Sequence, residues 1–236
     1  MVTSPDHDPI AIRLLPDTAE VLPSGQLAIG GCSVLDLAAE FGTPLFIYDE
    51  EHLRERCQQA ARAFHGSAAY ASKAFLCRAM AQLAYQEGLA IDVASLGEYE
   101  ISRSAGVPPE RIVFHGNNKS AVELHSAVRD GVGRIVVDSL DELSRLESVC
   151  SALGLRQQIL IRINPGIDVH TNEKVATGTP DSKFGLPVND ISTDEAIISA
   201  SRSQSVELKG LHVHIGSQVF SAANFGAAVG RVVPQV

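Results

Sequence analysis

From about Ser67 onward, short apolar runs alternate along the chain with longer stretches in which apolar residues recur at helical spacing. The short runs are rich in Val and Ile and are bounded by turn-forming residues, a pattern typical of strands. It predicts strands at residues 68–74, 90–95, 111–116, 134–139, 158–165 and 210–217, and helices at 75–87, 97–105, 120–130, 140–153, 193–204 and 221–233. Strands separated by helices indicate βαβ units on a parallel sheet, and so an α/β fold.

The first part of the chain has a different pattern, in which proline and glycine interrupt short apolar segments. Here the sequence predicts short strands at 10–15 and 26–29 that lie outside the parallel sheet, and a short helix at 34–41. A further strand is expected at 44–48.

Polar or small residues end each strand from residue 68 onward, as they do at the mouth of a (β/α) barrel. They are Ser72-Lys73, Ser95, His115-Gly116, Asp138-Ser139, Asn164, His214 and Ser217. A complete barrel needs eight strands, and only six are predicted here. We therefore expect a partial barrel, either because the chain is a fragment or because something outside it closes the sheet edges.

Composition narrows the function classes. The formal net charge of -9 and the pI near 5.3 argue against a nucleic-acid partner. The four cysteines form no CxxC pair, which favours free thiols over a disulfide framework. The N-terminus lacks the features of a signal peptide, and no apolar run is long enough for a membrane span. These observations predict a cytoplasmic protein with no membrane partner.

Lys73 closes the apolar run that ends the first predicted strand of the sheet. A lysine at a barrel mouth can form a Schiff base with pyridoxal phosphate. Taken alone, Lys73 also fits an exposed lysine at a strand end.

Three other residues at strand ends allow both a site role and a structural role. Asp92 could orient or charge-balance a cofactor, whereas Ser95, three residues before a glutamate, also fits a helix cap. Arg162 lies in an apolar run, and therefore needs either an anionic ligand or a structural ion pair.

His212 and His214 share one strand face, and Gly216-Ser217 follows with bare backbone and a hydroxyl suited to a phosphate. A His-x-His strand also occurs in metal hydrolases, for which His115 and Asp138 are further candidate ligands. That alternative leaves Lys73 unexplained.

In this order, these segments resemble the alanine-racemase-like, fold-type III pyridoxal-phosphate enzymes, and within them the diaminopimelate decarboxylases. The matching segments are Tyr70-Ala-Ser-Lys73-Ala, Asp92-Val-Ala-Ser95-x-x-Glu98, Phe114-His-Gly-Asn117-Asn118-Lys119, Asp138-Ser139-x-x-Glu142-Leu143, Arg162-Ile-Asn164-Pro165-Gly, Thr177-Gly178, Ser182-Lys-Phe-Gly185 and Gly210-Leu-His-x-His214-Ile-Gly-Ser217-Gln218. The resemblance implies an alanine-racemase-like partial barrel at 43–236 and, at 1–42, the first segment of a β-rich domain.

The resemblance also implies residue roles. Lys73 would bind pyridoxal phosphate covalently, His214 would stack on its ring, and Gly216 and Ser217 would contact its phosphate. Asp92 and Arg162 would lie beside it. The implied reaction is decarboxylation of meso-2,6-diaminopimelate to L-lysine by a homodimer with a small-molecule amino-acid substrate and no resident metal.

Two departures from the family are visible. Asn172 stands where a histidine is common, and the family continues well beyond Val236 with motifs for the rest of the barrel and most of the β-rich domain. We therefore expect the 236-residue chain to be inactive and to fold poorly alone. The alternative is a non-catalytic relative that binds the cofactor or a decarboxylase partner.

Overall fold

A computed structural model describes residues 12–167, 183–216, 219 and 221–235. The backbone contacts divide the chain into two compact units, with the boundary between Ala68 and Ala69. The predicted assignment of residues 1–42 to a β-rich domain stays a prediction.

The first unit contains a small antiparallel sheet and two helices. The strands are β1 (Glu20–Val21), β2 (Leu27–Ile29) and β3 (Cys32–Ser33), and the helices are α1 (Val34–Phe41) and α2 (Glu50–Ala63). A side chain caps the N-terminus of each helix. The Ser33 hydroxyl accepts from the backbone N–H of Asp36, and the Asp49 carboxylate accepts from that of His52.

Three features of this unit differ from the sequence predictions. Residues Ile12–Leu14 form a 3₁₀ turn rather than a strand. Residues 44–48 are irregular, since they form no β-ladder in the described part of the chain, and a strand needs a ladder to be stable. Helix α2 was not predicted, although an Asp cap followed by Glu50 and Glu51 is a helix-start signal.

The second unit is a parallel sheet with intervening helices. Its strands are β4 (Ala69–Ala71), β5 (Ala90–Val93), β6 (Ile112–Phe114), β7 (Arg134–Val137), β8 (Gln157–Asn164), β9 (Leu186–Pro187) and β10 (Val206–Val213). Its helices are α3 (Arg78–Gln86), α4 (Leu96–Ser104), α5 (Ala121–Asp130), α6 (Leu140–Leu153), α7 (Ile191–Arg202) and α8 (Ala222–Val232). The strand order is β10-β8-β7-β6-β5-β4, and β9 pairs with the end of β8.

Burial explains why these segments form a sheet. The central strands β5 to β8 are largely buried, and their Val and Ile side chains contribute to the core, with Ile91, Ile135, Ile159 and Ile161 fully buried. Serine hydroxyls cap the N-termini of α4, α5 and α6, where a side-chain acceptor satisfies a free backbone N–H.

The prediction of an α/β partial barrel is confirmed, with six parallel strands at nearly the predicted positions. The last one, β10, begins four residues earlier than expected, because a bulge between Leu208 and Gly210 lets the strand continue through Gly210. Within the described ranges, no helix combines the length and hydrophobicity needed to cross a bilayer.

Candidate functional site

The carboxyl ends of the parallel strands border one cavity of about 360 Å³. Because all six strands run in the same direction, the residues that follow them reach the same edge of the sheet. The cavity is lined by Ala71, Ser72, Lys73, Asp92, Ala94, Glu98, His115, Gly116, Arg162, Phe184, His212 and His214. Four predicted site residues, Lys73, Asp92, Arg162 and His214, are thus brought together from four strands.

Lys73 lies in the 3₁₀ turn Ser72–Ala74 that directly follows β4, so its side chain is placed at the strand end. Its ammonium group interacts electrostatically with Asp92 and His214. The neighbouring Ser72 is buried, and its hydroxyl has no hydrogen-bond partner in the described part of the chain.

Asp92 lies in the second half of β5, and its carboxylate Oδ1 lies 3.3 Å from Nε2 of His115. Burial raises the pKa of Asp92 to about 7, against the opposing attraction of Lys73. Burial also lowers the pKa of His115 to about 2. The Asp92–His115 contact therefore joins a neutral imidazole to a carboxyl group that titrates near neutrality, and it is not an ion pair.

Ser95 caps α4, and this structural role is the one that the hydrogen bonds support. Its hydroxyl accepts from the backbone N–H of Glu98, while the Glu98 carboxylate accepts from the N–H of Ala94 at 2.6 Å. Glu98, not Ser95, lines the cavity.

Arg162 is 8% exposed, and of the two expectations stated for it the structural ion pair is observed. Its Nη1 lies 3.5 Å from the carboxylate of Asp138, so a structural ion pair is present. The guanidinium also lies over the ring of Phe184, 4.5 Å from its centroid, and borders the cavity. Burial lowers the pKa of Arg162, and the Asp138 carboxylate opposes this shift.

His212 and His214 both line the cavity from the end of β10. The His212 ring contacts that of His115 edge to face, with centroids 4.7 Å apart. Burial lowers the pKa of His212 to about 3 and that of His214 to about 4, so both are neutral at physiological pH. In the described part of the chain, no three His, Cys, Asp or Glu side chains are grouped to hold a metal ion.

Of the two predicted phosphate contacts, Gly216 lies among the described residues and Ser217 does not. Gly216 has a backbone φ of 115°, which favours glycine. Ser217 lies outside the described residues, as do Asn172, Thr177, Gly178 and Ser182 of the long loop.

His115, Glu98 and Phe184 line the cavity but were not selected as site residues from the sequence. His115 had a signal, since it lies at the end of a predicted strand and was named as a candidate ligand for the metal-hydrolase alternative. Phe184 reaches the cavity from a loop 22 residues beyond Arg162, and its signal was the resemblance of Ser182-Lys-Phe-Gly185 to the family.

A family model described as "Pyridoxal-dependent decarboxylase, pyridoxal binding domain" matches residues 50–235. Diaminopimelate decarboxylase of Mycobacterium leprae is 45% identical over 212 residues, which make up 89% of this chain and 45% of the relative. The Bacillus subtilis enzyme is 45% identical over 213 residues, or 88% of this chain and 48% of the relative. The chain thus spans about half the length of the curated relatives it matches.

Solved structures agree with these matches. The crystal structure of diaminopimelate decarboxylase from M. jannaschii superposes with a TM-score of 0.83 at 32% identity, covering 93% of this chain and 52% of that one. The same enzyme was also solved in complex with L-lysine. The family match and the fold agree with a cavity that is lined by Lys73. This chain belongs to the pyridoxal-dependent decarboxylase family and carries its pyridoxal-binding domain.

Proposed function

We propose that this chain supplies the cofactor-binding face of a carboxy-lyase that converts meso-2,6-diaminopimelate to L-lysine with pyridoxal phosphate. The observation that carries the proposal is the convergence of Lys73, Asp92, Arg162 and His214 on one cavity. The similarity to diaminopimelate decarboxylases over about nine-tenths of the chain supports the choice of substrate.

The residues around the cavity fit a polar, anionic cofactor. Lys73 and Arg162 bring positive charge to its wall. The Ser72 hydroxyl and Nδ1 of His212 are buried and have no hydrogen-bond partner in the described part of the chain. Buried polar atoms of this kind are costly, and a polar ligand would satisfy them.

Each residue has a proposed task. Lys73 is the amine that binds the cofactor covalently. His214 would contact the ring as a neutral imidazole, so it would add no positive charge beside Lys73 and Arg162. Asp92 can hold or release a proton beside the cofactor near neutral pH, because its pKa is about 7. Gly216 and Ser217 are proposed to contact the phosphate.

When bound, pyridoxal phosphate supplies an electron-accepting ring, which is the chemistry that decarboxylation of an amino acid requires. We further propose a small-molecule amino-acid substrate, a homodimeric assembly and a cytoplasmic location for the protein.

The test uses the protein as expressed from its own gene. We expect the visible absorbance of protein-bound pyridoxal phosphate and release of carbon dioxide from meso-diaminopimelate. Lys73→Ala should abolish both, whereas Lys209→Ala should change neither, since Lys209 is exposed and pairs with Glu207 on the surface.

Two results would count against the proposal. Covalently bound cofactor in Lys73→Ala would refute the role of this lysine. Cofactor binding without release of carbon dioxide would refute the substrate and favour a non-catalytic, cofactor-binding relative.

A further inference from the structure

Behind the cavity wall lies a buried ionic chain made of Lys119, Glu142 and Asp138. All three side chains are at most 5% exposed, and none of them lines the cavity. We propose that this buried ionic chain positions Arg162 and Phe184 at the wall of the cofactor cavity. The inference rests on the proposed function for the identity of the cofactor.

Lys119 connects the ends of two strands. Its ammonium group donates to the carbonyl of Gly116 at 2.6 Å and to that of Val136 at 2.8 Å, and it forms an ion pair with a carboxylate oxygen of Glu142 at 2.8 Å. The ammonium group therefore has three close oxygen partners. Because Gly116 follows β6 and Val136 lies in β7, the lysine fixes the two strand ends relative to each other.

Glu142 links Lys119 to the backbone of Asp138. One carboxylate oxygen of Glu142 pairs with Lys119, and the other accepts from the backbone N–H of Asp138 at 3.2 Å. Glu142 itself is held in the first turn of α6, where its N–H donates to the Ser139 hydroxyl. The backbone of Asp138 is therefore fixed from the interior side.

Asp138 then holds both elements of the cavity wall. One of its carboxylate oxygens accepts from the N–H of Gly185 at 2.9 Å, and the other lies 3.5 Å from Arg162. The Gly185 contact fixes the segment that carries Phe184, whose ring lies against the Arg162 guanidinium. One carboxylate thus sets the relative position of the two residues.

Stability alone gives a weak reason for such an arrangement. Burial lowers the pKa of Lys119 and raises that of Glu142, although their mutual attraction opposes both shifts. Burying two charges costs several kcal/mol per ion, and apolar residues of similar size are often equally or more stabilising. Positioning is the better explanation, because the contacts of the buried ionic chain end at two residues that line the cavity.

The decisive variant is Lys119→Met/Glu142→Met, which removes both charges together in the protein as expressed from its own gene. Without cofactor, we expect melting temperature to stay within a few degrees of the unmodified protein. Amide hydrogen exchange at Gly185 should become faster, and the dissociation constant for pyridoxal phosphate should rise about tenfold. Asp141→Asn is the matched control, since Asp141 is an exposed neighbour of Glu142 that pairs with Arg145, and it should change neither quantity.

Asp138→Asn provides a second test if the double variant does not fold. The neutral amide cannot present an oxygen to both Gly185 and Arg162, so cofactor affinity should again fall while the Lys119–Glu142 pair remains. Unchanged Gly185 exchange and unchanged affinity in a folded variant would overturn the positioning role. If the unmodified protein bound no pyridoxal phosphate, the proposed function would fail, and Gly185 exchange in the cofactor-free variants would still decide the positioning role.

Discussion

Replacing Asp92 by asparagine should stabilise the cofactor-free protein by an amount that grows as pH rises from 3.8 to about 7. Asp92 is a carboxyl group whose folded-state pKa is raised by burial to about 7. The unfolded chain releases this proton near pH 3.8, while the folded protein keeps it up to about pH 7. The folded state therefore loses stability as pH rises between these values, because ionising Asp92 is costlier when folded.

The size of the effect follows from the shift. About 3 pKa units at about 1.4 kcal/mol each give about 4 kcal/mol as an upper limit. The side chain keeps 29% of its exposure, so solvent reduces this penalty to about 2 kcal/mol. An asparagine side chain at this position cannot ionise and would not incur the penalty.

The measurement is urea denaturation of both cofactor-free proteins at about pH 5 and about pH 8. The lowered histidine pKa values destabilise both proteins in acid, so the difference between the two isolates Asp92. Asp130→Asn is a control whose effect on stability should have the opposite sign. The hydrogen bond from Arg129 lowers the pKa of Asp130, so removing the Asp130 carboxylate should destabilise the protein. An Asp92→Asn advantage that did not grow between the two pH values would refute the reasoning.

Two glycine substitutions test the packing around the sheet. Gly133→Ala should cost about 1–3 kcal/mol in urea denaturation, because its Cβ would lie 2.2 Å from the carbonyl oxygen of Glu110; a cost near zero would contradict this. Gly185→Ala should weaken pyridoxal phosphate binding, since its Cβ would lie 3.0 Å from Cγ of Arg162. Gly131→Ala is the control for Gly185→Ala. The backbone strain is similar, since φ is +78 at Gly131 and +73 at Gly185, but a Cβ at Gly131 would meet no atom within 4 Å. Gly131→Ala should therefore reduce stability and leave cofactor binding unchanged. Equal cofactor affinity in these two variants would argue against crowding of Arg162.

Some features of the molecule were determined by the sequence alone. The alternation of apolar runs and helical spacing specified the βαβ units, because these periods arise from neighbours along the chain. It also placed Lys73, Arg162 and His214 at or near strand ends, and parallel strands bring such ends to one edge. The strand predicted at residues 44–48 failed because a favourable local pattern does not supply a ladder partner.

Only the tertiary structure decided which of these groups act on one another. The partners of Arg162 are Asp138 and Phe184, which come from another strand end and from a returning loop. The raised pKa of Asp92 and the lowered pKa of His115 depend on how much water the assembled cavity excludes. Burial and contacts between distant segments are properties of the packed sheet, so no local pattern in the chain specifies them.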